Sequence, residues 1–409
     1  MSPKNWLLVC LVAIGLSAAC VHVGRQTAAA PTAPPDRIVS TPGRLRQPYR
    51  PRHKGGADIS TGLYTRQDDD LFVNTSMPIV LSRFYLSGDR VSRPFGVGAN
   101  HSGEWYLYGD GDSRIPWADL ILAGGERIHF TRISPGNTQK DAILRHDSSP
   151  TEFNGALLSW SGSKWEMRFL DGALALFSDC QHAQETCSVL ERRDPEGHRI
   201  VYVRDRAGML LRMESEGQSI TFEYDDHKRV VRAYDTAQHL MSYTYDDAGR
   251  LVRATASDGT IRNYTYDERD ELIAIREPGR IIQNWFDESG RFARQELRDS
   301  ENDPDPYVAT ARYIEEGGSI VQVDFDEGDG LTRYRYNTHH YIGSETFDAD
   351  SPRPIIFTYN RDATTNVMTS VTMSCLGLTG PATRTVPLAS DGDDNTKLAL
   401  MRETCLPRR

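Results

Sequence analysis

The sequence lacks the long apolar segments of a membrane-spanning bundle and the basic body of a nucleic-acid-binding protein. Hydrophobic residues make up 38% of its 409 positions, and only one long apolar run is present. Residues 1–57 contain eight Lys or Arg and one Asp, whereas the remainder contains 39 basic and 56 acidic residues. Sequence-independent binding of nucleic acid needs a basic surface that displaces phosphate counterions. The acidic body argues against that class, and the single run argues against several membrane spans.

Recognisable catalytic and cofactor motifs are also absent. The sequence has no HExxH, no GxSxG nucleophile elbow, no P-loop and no GxGxxG after a strand. Glu104 beside Trp105, together with Asp110 and Asp112, resembles the combination found in a sugar cleft. Acidic residues are so abundant, however, that this grouping carries little weight. The Asp-rich segments at Asp324 and Asp391 lack the spacing of a calcium-binding loop. We therefore expect no catalytic residues, no cofactor and no metal site.

The one apolar run lies at the N-terminus and has the form of an export signal. Lys4 precedes 14 apolar residues that end at Ala19, too few to span a bilayer comfortably. Ser17-Ala18-Ala19-Cys20 resembles the cleavage box of bacterial lipoproteins, in which the Cys thiol is acylated. The same residues also suit an ordinary signal peptidase or an uncleaved anchor. We predict a signal peptide over residues 1–19 and lipidation of Cys20. By analogy with the lipoprotein sorting rule, the absence of Asp after Cys20 favours the outer membrane, facing the periplasm or the cell surface.

The cysteines support export. Two of the six lie within the first 20 residues, and the others form two pairs. Cys180 and Cys187 bracket a short polar segment and are predicted to close a hairpin loop by a disulfide. Cys375 and Cys405 are predicted to staple the C-terminal tail in the same way. A metal site formed by Cys180, Cys187 and His182 is the competing interpretation, but no fourth ligand is nearby.

Composition changes divide the rest of the chain. Residues 20–56 alternate proline with basic residues and are predicted to form an extended, lipid-anchored tether. From residue 57 onward short runs of β-branched and aromatic residues alternate with Gly-Asp and Gly-Gly turns, and no helical periodicity lasts longer than two turns. We predict an N-terminal β domain over residues 57–189.

Residues 190–360 are repetitive, with units about 20 residues long. The second aromatic residue of the clearest units is Tyr224, Tyr245, Tyr266 or Phe286, at spacings of 21, 21 and 20 residues. Aromatic–x–aromatic predicts a strand with both rings on one face. The array is therefore predicted to be a series of antiparallel hairpins, in which neighbouring units complete each other's core.

Each unit also carries a turn signature. Asp246-Asp247-Ala248-Gly249 predicts a tight turn in which Asp caps its own backbone and Gly249 takes a positive φ. Related turn positions are Asp267, Asp287 and Gly290. The predicted fold class is all-β, a long, curved and spiralling sheet.

These features resemble the YD repeats of RHS-repeat proteins. The segment YTYDDAGRL, from Tyr243 to Leu251, matches every position of the Tyr-x-Tyr-Asp-x-x-Gly-Arg-Leu pattern. Upstream, GADISTGLYTRQDDDLFV, PIVLSRFYLSGDR and RPFGVGANHSGEWYL resemble the domain that opens RHS proteins, so the likeness extends over residues 57–360. It implies a spiralling β-sheet, which in large members forms a hollow shell around a toxin.

The chain departs from the shell plan in several ways. It has about eight units, lacks the Asp-Pro-x-Gly-Leu self-cleavage motif, and continues for about 49 residues after Asn360. We therefore expect an open sheet without a closed cage, with residues 361–409 as a C-terminal cap held by a disulfide.

Three function classes remain open. We favour a non-catalytic envelope lipoprotein that binds a protein or a glycan on the concave face of its sheet. The second class is a component of an RHS toxin or contact-dependent competition system: a shell fragment, an adaptor or an antagonist. The third is an envelope glycan hydrolase.

Overall fold

The computed structural model describes residues 56–109, 114–147, 152–179, 187–328, 330–338, 341–362, 368–377 and 380–387. Within these ranges the chain forms 31 strands and one short 3-10 turn, Gln139–Asp141. The all-β prediction is confirmed. No helix in these ranges is long and apolar enough to cross a membrane. The predicted signal peptide, the tether and the second half of the predicted cap lie outside the described residues.

The first strands form a small antiparallel sheet, here called the N-terminal sheet, in the order β1-β2-β3-β6. A two-residue hairpin, β4–β5, lies between β3 and β6 in the chain. The bounds are β1 Ala57–Asp58, β2 Leu63–Val73, β3 Ile79–Leu86, β4 Ser92–Arg93, β5 Gly96–Val97 and β6 Ala99–His101.

The next eight strands close into a ring. Each pairs antiparallel with the next, and the last, β14, also pairs with β7 through Cys187↔Leu107 and Ser188↔Tyr106. The bounds are β7 Tyr106–Tyr108, β8 Trp117–Ile121, β9 Arg127–Arg132, β10 Ile143–Arg145, β11 Leu157–Trp160, β12 Trp165–Arg168, β13 Leu174–Phe177 and β14 Cys187–Arg193. The expectation of an open sheet without a closed cage does not fit this end of the sheet, where eight strands close into a barrel. Closure pairs β7 with β14, so that β7 is not a free edge.

The repeat array is continuous with the ring through β14, which belongs to both. The last three residues of β14 pair with β15, and every later strand pairs antiparallel with its successor. The bounds are β15 Arg199–Arg204, β16 Leu210–Ser215, β17 Gln218–Tyr224, β18 Val230–Asp235, β19 Leu240–Tyr245, β20 Leu251–Ala256, β21 Ile261–Tyr266, β22 Leu272–Glu277, β23 Arg280–Phe286, β24 Phe292–Arg298, β25 Tyr307–Glu316, β26 Ser319–Asp326, β27 Leu331–Tyr336, β28 Ile342–Phe347, β29 Ile355–Arg361, β30 Met368–Gly377 and β31 Gly380–Pro387.

In three units the second aromatic residue is a tyrosine that ties its unit to the one before it. A β-bulge between Thr244 and Tyr245 ends the aromatic strand. The Tyr245 hydroxyl donates to the carbonyl of Val230, the first residue of the preceding return strand, at 2.6 Å. The same bond joins Tyr224 to Leu210 at 2.6 Å and Tyr266 to Leu251 at 2.9 Å.

The turn residues make a second link between units. The carboxylate of Asp246 accepts the backbone N–H of Arg250 at 2.9 Å and its Nε–H at 2.8 Å. Gly249 closes the turn with φ +81°. The pinned Arg250 guanidinium lies 5.4 Å from the ring centre of Tyr266 in the next unit, and Arg229 lies 4.5 Å from that of Tyr245. The YD pattern therefore specifies contacts between units as well as the turn within a unit.

Candidate functional site

The N-terminal sheet covers the inner, aromatic face of the repeat array. Tyr64 stacks on Phe292 with ring centres 6.5 Å apart. Tyr85 meets Tyr266 edge to face at 6.0 Å. Farther along the same face, the ring of Phe95 meets that of Tyr243 at 4.8 Å. The aromatic rows of these units therefore belong to a shared hydrophobic core.

Backbone groups of several repeat units bond to the N-terminal segment, here residues 56–101, which contains the N-terminal sheet and the β4–β5 hairpin. The N–H groups of Val230 and Phe292 donate to the carbonyls of Pro94 and Gly62, both at 2.7 Å. Between these two contacts, the Val97 N–H donates to the Gly249 carbonyl at 3.1 Å. These bonds explain why the segment follows the repeat spacing: each lies at a turn or at the first residue of a return strand.

A bulge in β2 turns acidic side chains toward the array. Alternation along a strand places Asp68 and Asp70 on the inner face. The register shift between Asp69 and Leu71 then allows Leu71 to face inward as well, so that acidic and apolar residues share one face. The side chain of Asp70 is fully buried and that of Asp68 is 3% exposed.

Arg83 from β3 pairs with both acids in the buried space. Its Nε–H donates to Asp70 Oδ2 at 3.0 Å, and its Nη2 lies 3.3 Å from Asp68 Oδ2. Nη2 also donates to the hydroxyl of Tyr264 at 2.7 Å. The Tyr264 hydroxyl donates to Asp68 at 3.1 Å, and the Tyr243 hydroxyl donates to Asp70 at 2.9 Å. Two strands and two repeat units are thereby joined.

Further ion pairs complete the network. Arg262 Nη1 donates to Asp70 Oδ1 at 3.0 Å. Arg66 donates to Asp68 and, through Nη2, to Glu277 Oε2 at 3.0 Å. We call this set the buried clamp: Asp68, Asp70, Arg66, Arg83, Arg262, Glu277, Tyr243 and Tyr264. Its three arginines balance its three carboxylates, which offsets the cost of removing the charges from water.

The electrostatics of the clamp favour fixed protonation states. Burial raises the pKa of Asp68, but the charges of Arg83 and Arg66 outweigh it and hold that pKa below its usual value. Burial raises the pKa of Tyr243 well above its usual value. Asp68 therefore stays ionised and Tyr243 stays protonated near neutral pH. Groups that keep their protons fixed suit positioning better than acid–base catalysis.

The predicted repeat residues lie within the array. Tyr224, Tyr245, Tyr266 and Phe286 end the aromatic strands. The turns that follow contain Asp246, Gly249, Asp267, Asp287 and Gly290, and Gly290 has φ +74°.

Two further candidate residues lie in the described part of the chain. Glu104 pairs with Arg204 at 2.8 Å, and Asp324 pairs with Arg333. The positions Cys20, Asp110, Asp112, Cys180, His182, Asp391 and Cys405 lie outside the described residues. Cys187 and Cys375 are buried, and both disulfide pairings stay predictions. No group of three or more potential metal ligands forms among the residues that can be placed.

Sequence reasoning missed the buried clamp. The segment RQDDDLFV contains three consecutive aspartates inside an apolar strand. A charged residue on the inner face of a strand requires a buried partner, and that requirement is the signal that was available. The partner Arg83 and the bulge after Asp69 depend on strand pairing and were not visible in the pattern.

Two family models match parts of the chain. Residues 57–130 match a domain of unknown function, DUF6531, and residues 245–281 match the RHS Repeat. These matches support the interpretation of the chain as an RHS/YD-repeat protein. No curated protein matches the chain.

Solved structures resemble the chain only distantly. A crystal structure of TcdB2-TccC3-TEV has a TM-score of 0.28 at 11% identity, covering 80% of this chain and 25% of that chain. A Tc holotoxin pore structure from Photorhabdus luminescens has a TM-score of 0.22 at 12% identity, covering 68% and 21%. A porin-like protein from Bacteroides uniformis has a TM-score of 0.22 at 11% identity, covering 58% and 95%. The chain spans about a quarter of the TcdB2-TccC3 chain, and similarity at this level carries no functional conclusion.

Proposed function

We propose that the chain is a non-catalytic binding scaffold of the bacterial envelope, built on RHS/YD repeats. The observation that carries this proposal is the filled inner face: from β17 to β24 the array is covered by the N-terminal sheet, and the buried clamp is internally paired. Along those strands we therefore move the proposed ligand site away from the concave face that the sequence led us to expect. The outer face and the turns are then the surfaces left for a protein or a glycan.

Export and a lipid anchor belong to the same proposal. The apolar segment before Cys20 and the small residues around it support cleavage and acylation at that position. The acyl chain would hold the protein in the outer membrane through the tether of residues 20–56. Disulfides Cys180–Cys187 and Cys375–Cys405 fit the oxidising compartment that this location implies.

The experiment is an affinity capture from envelope extract with the acylated full chain as bait. We expect a specific protein or glycan that is retained equally by the acylated chain and by a soluble Cys20→Ser chain. Labelled palmitate should enter the wild type and not Cys20→Ser, and non-reducing peptide mapping should recover both disulfides. Palmitate incorporation that survives Cys20→Ser would remove the anchor from the proposal. If nothing is captured beyond a beads-only control, the scaffold function is wrong.

A second candidate is a component of an RHS toxin system. The observation that favours it is the order of the two family matches, a DUF6531 segment followed by RHS repeats in one chain. The array also packs against polypeptide, its own N-terminal sheet. The same capture experiment distinguishes the candidates, because recovery of a toxin or secretion component would favour the second.

A further inference from the structure

The N-terminal segment meets equivalent positions in three of the repeat units. The amides of Val230, Leu272 and Phe292, each the first residue of a return strand, donate to acceptors outside the array. Those acceptors are, in order, Pro94 O at 2.7 Å, Tyr85 Oη at 3.1 Å and Gly62 O at 2.7 Å. Because the units are nearly equivalent, similar bonds would form if the sheet were displaced by one unit. A unique register needs a feature that is not repeated.

Among the four consecutive units whose turns begin at Asp225, Asp246, Asp267 and Asp287, one departs from the repeat pattern. The fourth residue after the turn aspartate is an arginine in three units: Arg229, Arg250 and Arg291. In the unit of Asp267 it is Glu271. The residue before it, Asp270, has φ +60°, where Gly249 and Gly290 stand in the neighbouring turns.

The aromatic strand that follows this turn also differs from the repeat pattern. The arginines at this position stack on a tyrosine of the next unit, as Arg250 does on Tyr266. After Glu271 the corresponding aromatic is Phe286, which has no hydroxyl. The Leu272 carbonyl is bonded instead by the Asn284 side-chain amide at 2.8 Å. Several substitutions therefore occur together around one carboxylate.

That carboxylate faces the N-terminal segment. Glu271 is 1% exposed, and its Oε1 accepts a bond from Arg90 Nη2 at 2.9 Å. Arg90 Nη1 lies 3.6 Å from Asp270 Oδ2. The Tyr85 hydroxyl donates to the Asp270 carbonyl at 3.0 Å and accepts the Leu272 N–H. Two residues of the N-terminal segment thus hold both sides of this one turn.

We propose that Glu271 is the positioning residue that sets the register of the N-terminal sheet on the repeat array, through its ion pair with Arg90. A displacement of one unit in either direction would bring Arg90 to Arg250 or Arg291. Two guanidinium groups facing each other in a partly buried space repel, so both displaced registers are disfavoured. The departure of this unit from the pattern is therefore the specificity signal.

Hydrogen exchange of the full chain, resolved to single amides, tests the proposal. The measurement is made at pH 8, because burial raises the pKa of Glu271 to about 7 and the carboxylate must be ionised. We expect Glu271→Arg and Arg90→Glu each to raise exchange by about tenfold or more at Val230, Leu272 and Phe292 together. The double exchange of charge should restore protection at all three amides.

The controls separate register from local support. Glu268→Arg changes an exposed carboxylate in the same turn and should leave the three amides unchanged. Glu271→Gln removes the charge with little change of shape and should raise exchange at all three amides by a smaller factor, which keeps the test decisive if Glu271→Arg fails to fold. A response confined to Leu272, no response, or no recovery in the double variant would overturn the proposal.

Discussion

The YD-repeat residues act mainly on the neighbouring unit. The Tyr245 hydroxyl satisfies a carbonyl of the preceding return strand, and the Arg250 side chain covers a tyrosine of the following unit. The repeat tyrosine and the repeat arginine each stabilise a contact between units, and that contact recurs along the sheet. Substitutions at these positions should be felt in two units.

Tyr245→Phe isolates the hydroxyl. The Val230 carbonyl would lose a buried hydrogen bond, which costs about 1–2 kcal/mol. We expect a lower melting temperature and faster hydrogen exchange in β18 as well as β19. Thr244→Val, which removes an exposed hydroxyl from the same strand, is the matched control and should change little. Equal effects of the two variants would contradict the inter-unit role.

His101 predicts a pH dependence with a defined sign. It is fully buried, stacked on Phe222 and bonded through Nδ1 to the Gly103 N–H, and burial lowers its pKa from 6.5 to about 4. Between these values the unfolded chain binds a proton that the folded chain does not. The contribution of neutral His101 to the free energy of unfolding is therefore complete above about pH 6.5 and is lost as the pH falls toward 4.

The check is the melting temperature at pH 7.5 and pH 5. On acidification, the melting temperature of the wild type should fall by more than that of His101→Gln. His198 provides the opposite control, because its hydrogen bond to Asp194 raises its pKa and its contribution is present at low pH and lost as the pH rises. Parallel changes in the wild type and His101→Gln would show that His101 is not responsible.

At the scale of the element, each turn controls two strands and their neighbours. Gly249 has φ +81°, and a Cβ there would lie 3.4 Å from Arg229 Nη1, so the backbone conformation is the greater obstacle to a side chain. Gly249→Val should cost about 1–3 kcal/mol in strain. We expect flanking units to become sensitive to protease. Gly109→Val, where a Cβ has space and no positive φ is needed, should be tolerated better, and equal tolerance of both would count against the repeat assignment.

In the bulged strand β2, a substitution is expected to cause a larger loss of stability. Asp70→Ala would leave the buried Arg83 guanidinium without its principal partner, at a cost of about 3–5 kcal/mol. Asp69→Ala, at the exposed neighbouring position, should cost little. Melting of both variants, with proteolysis of β2 and β3, measures the difference. If the clamp contributed no more than a surface ion pair, Asp70→Ala and Asp69→Ala would have similar melting temperatures.

Over the whole molecule, the sequence predicts what is local and repeated. Tyr245, Asp246 and Gly249 specify a hairpin because their spacing is short and recurs. Ring closure joins Cys187 to Leu107 without any periodic signal, so it was not predictable. The pairing of Asp70 with Arg83 depends on a bulge, which the sequence does not show. In the sequence, Glu271 is only a departure from the repeat pattern, and its role emerges from its hydrogen bond with Arg90. Long-range partners of single charged residues are the part that a pattern does not contain.

The docking of the N-terminal sheet has a consequence for the time course of folding. Arg66 and Glu277, joined in the buried clamp, are 211 residues apart in the chain. At about 5–20 residues per second, a ribosome needs on the order of ten seconds or more between making the first and making the second. The strands that are synthesised first therefore wait for partners that do not yet exist, and contacts of such high sequence separation form slowly even afterwards. Until then β2 and β3 carry exposed apolar and acidic faces, so the earliest part of the chain is among the last to reach its final structure.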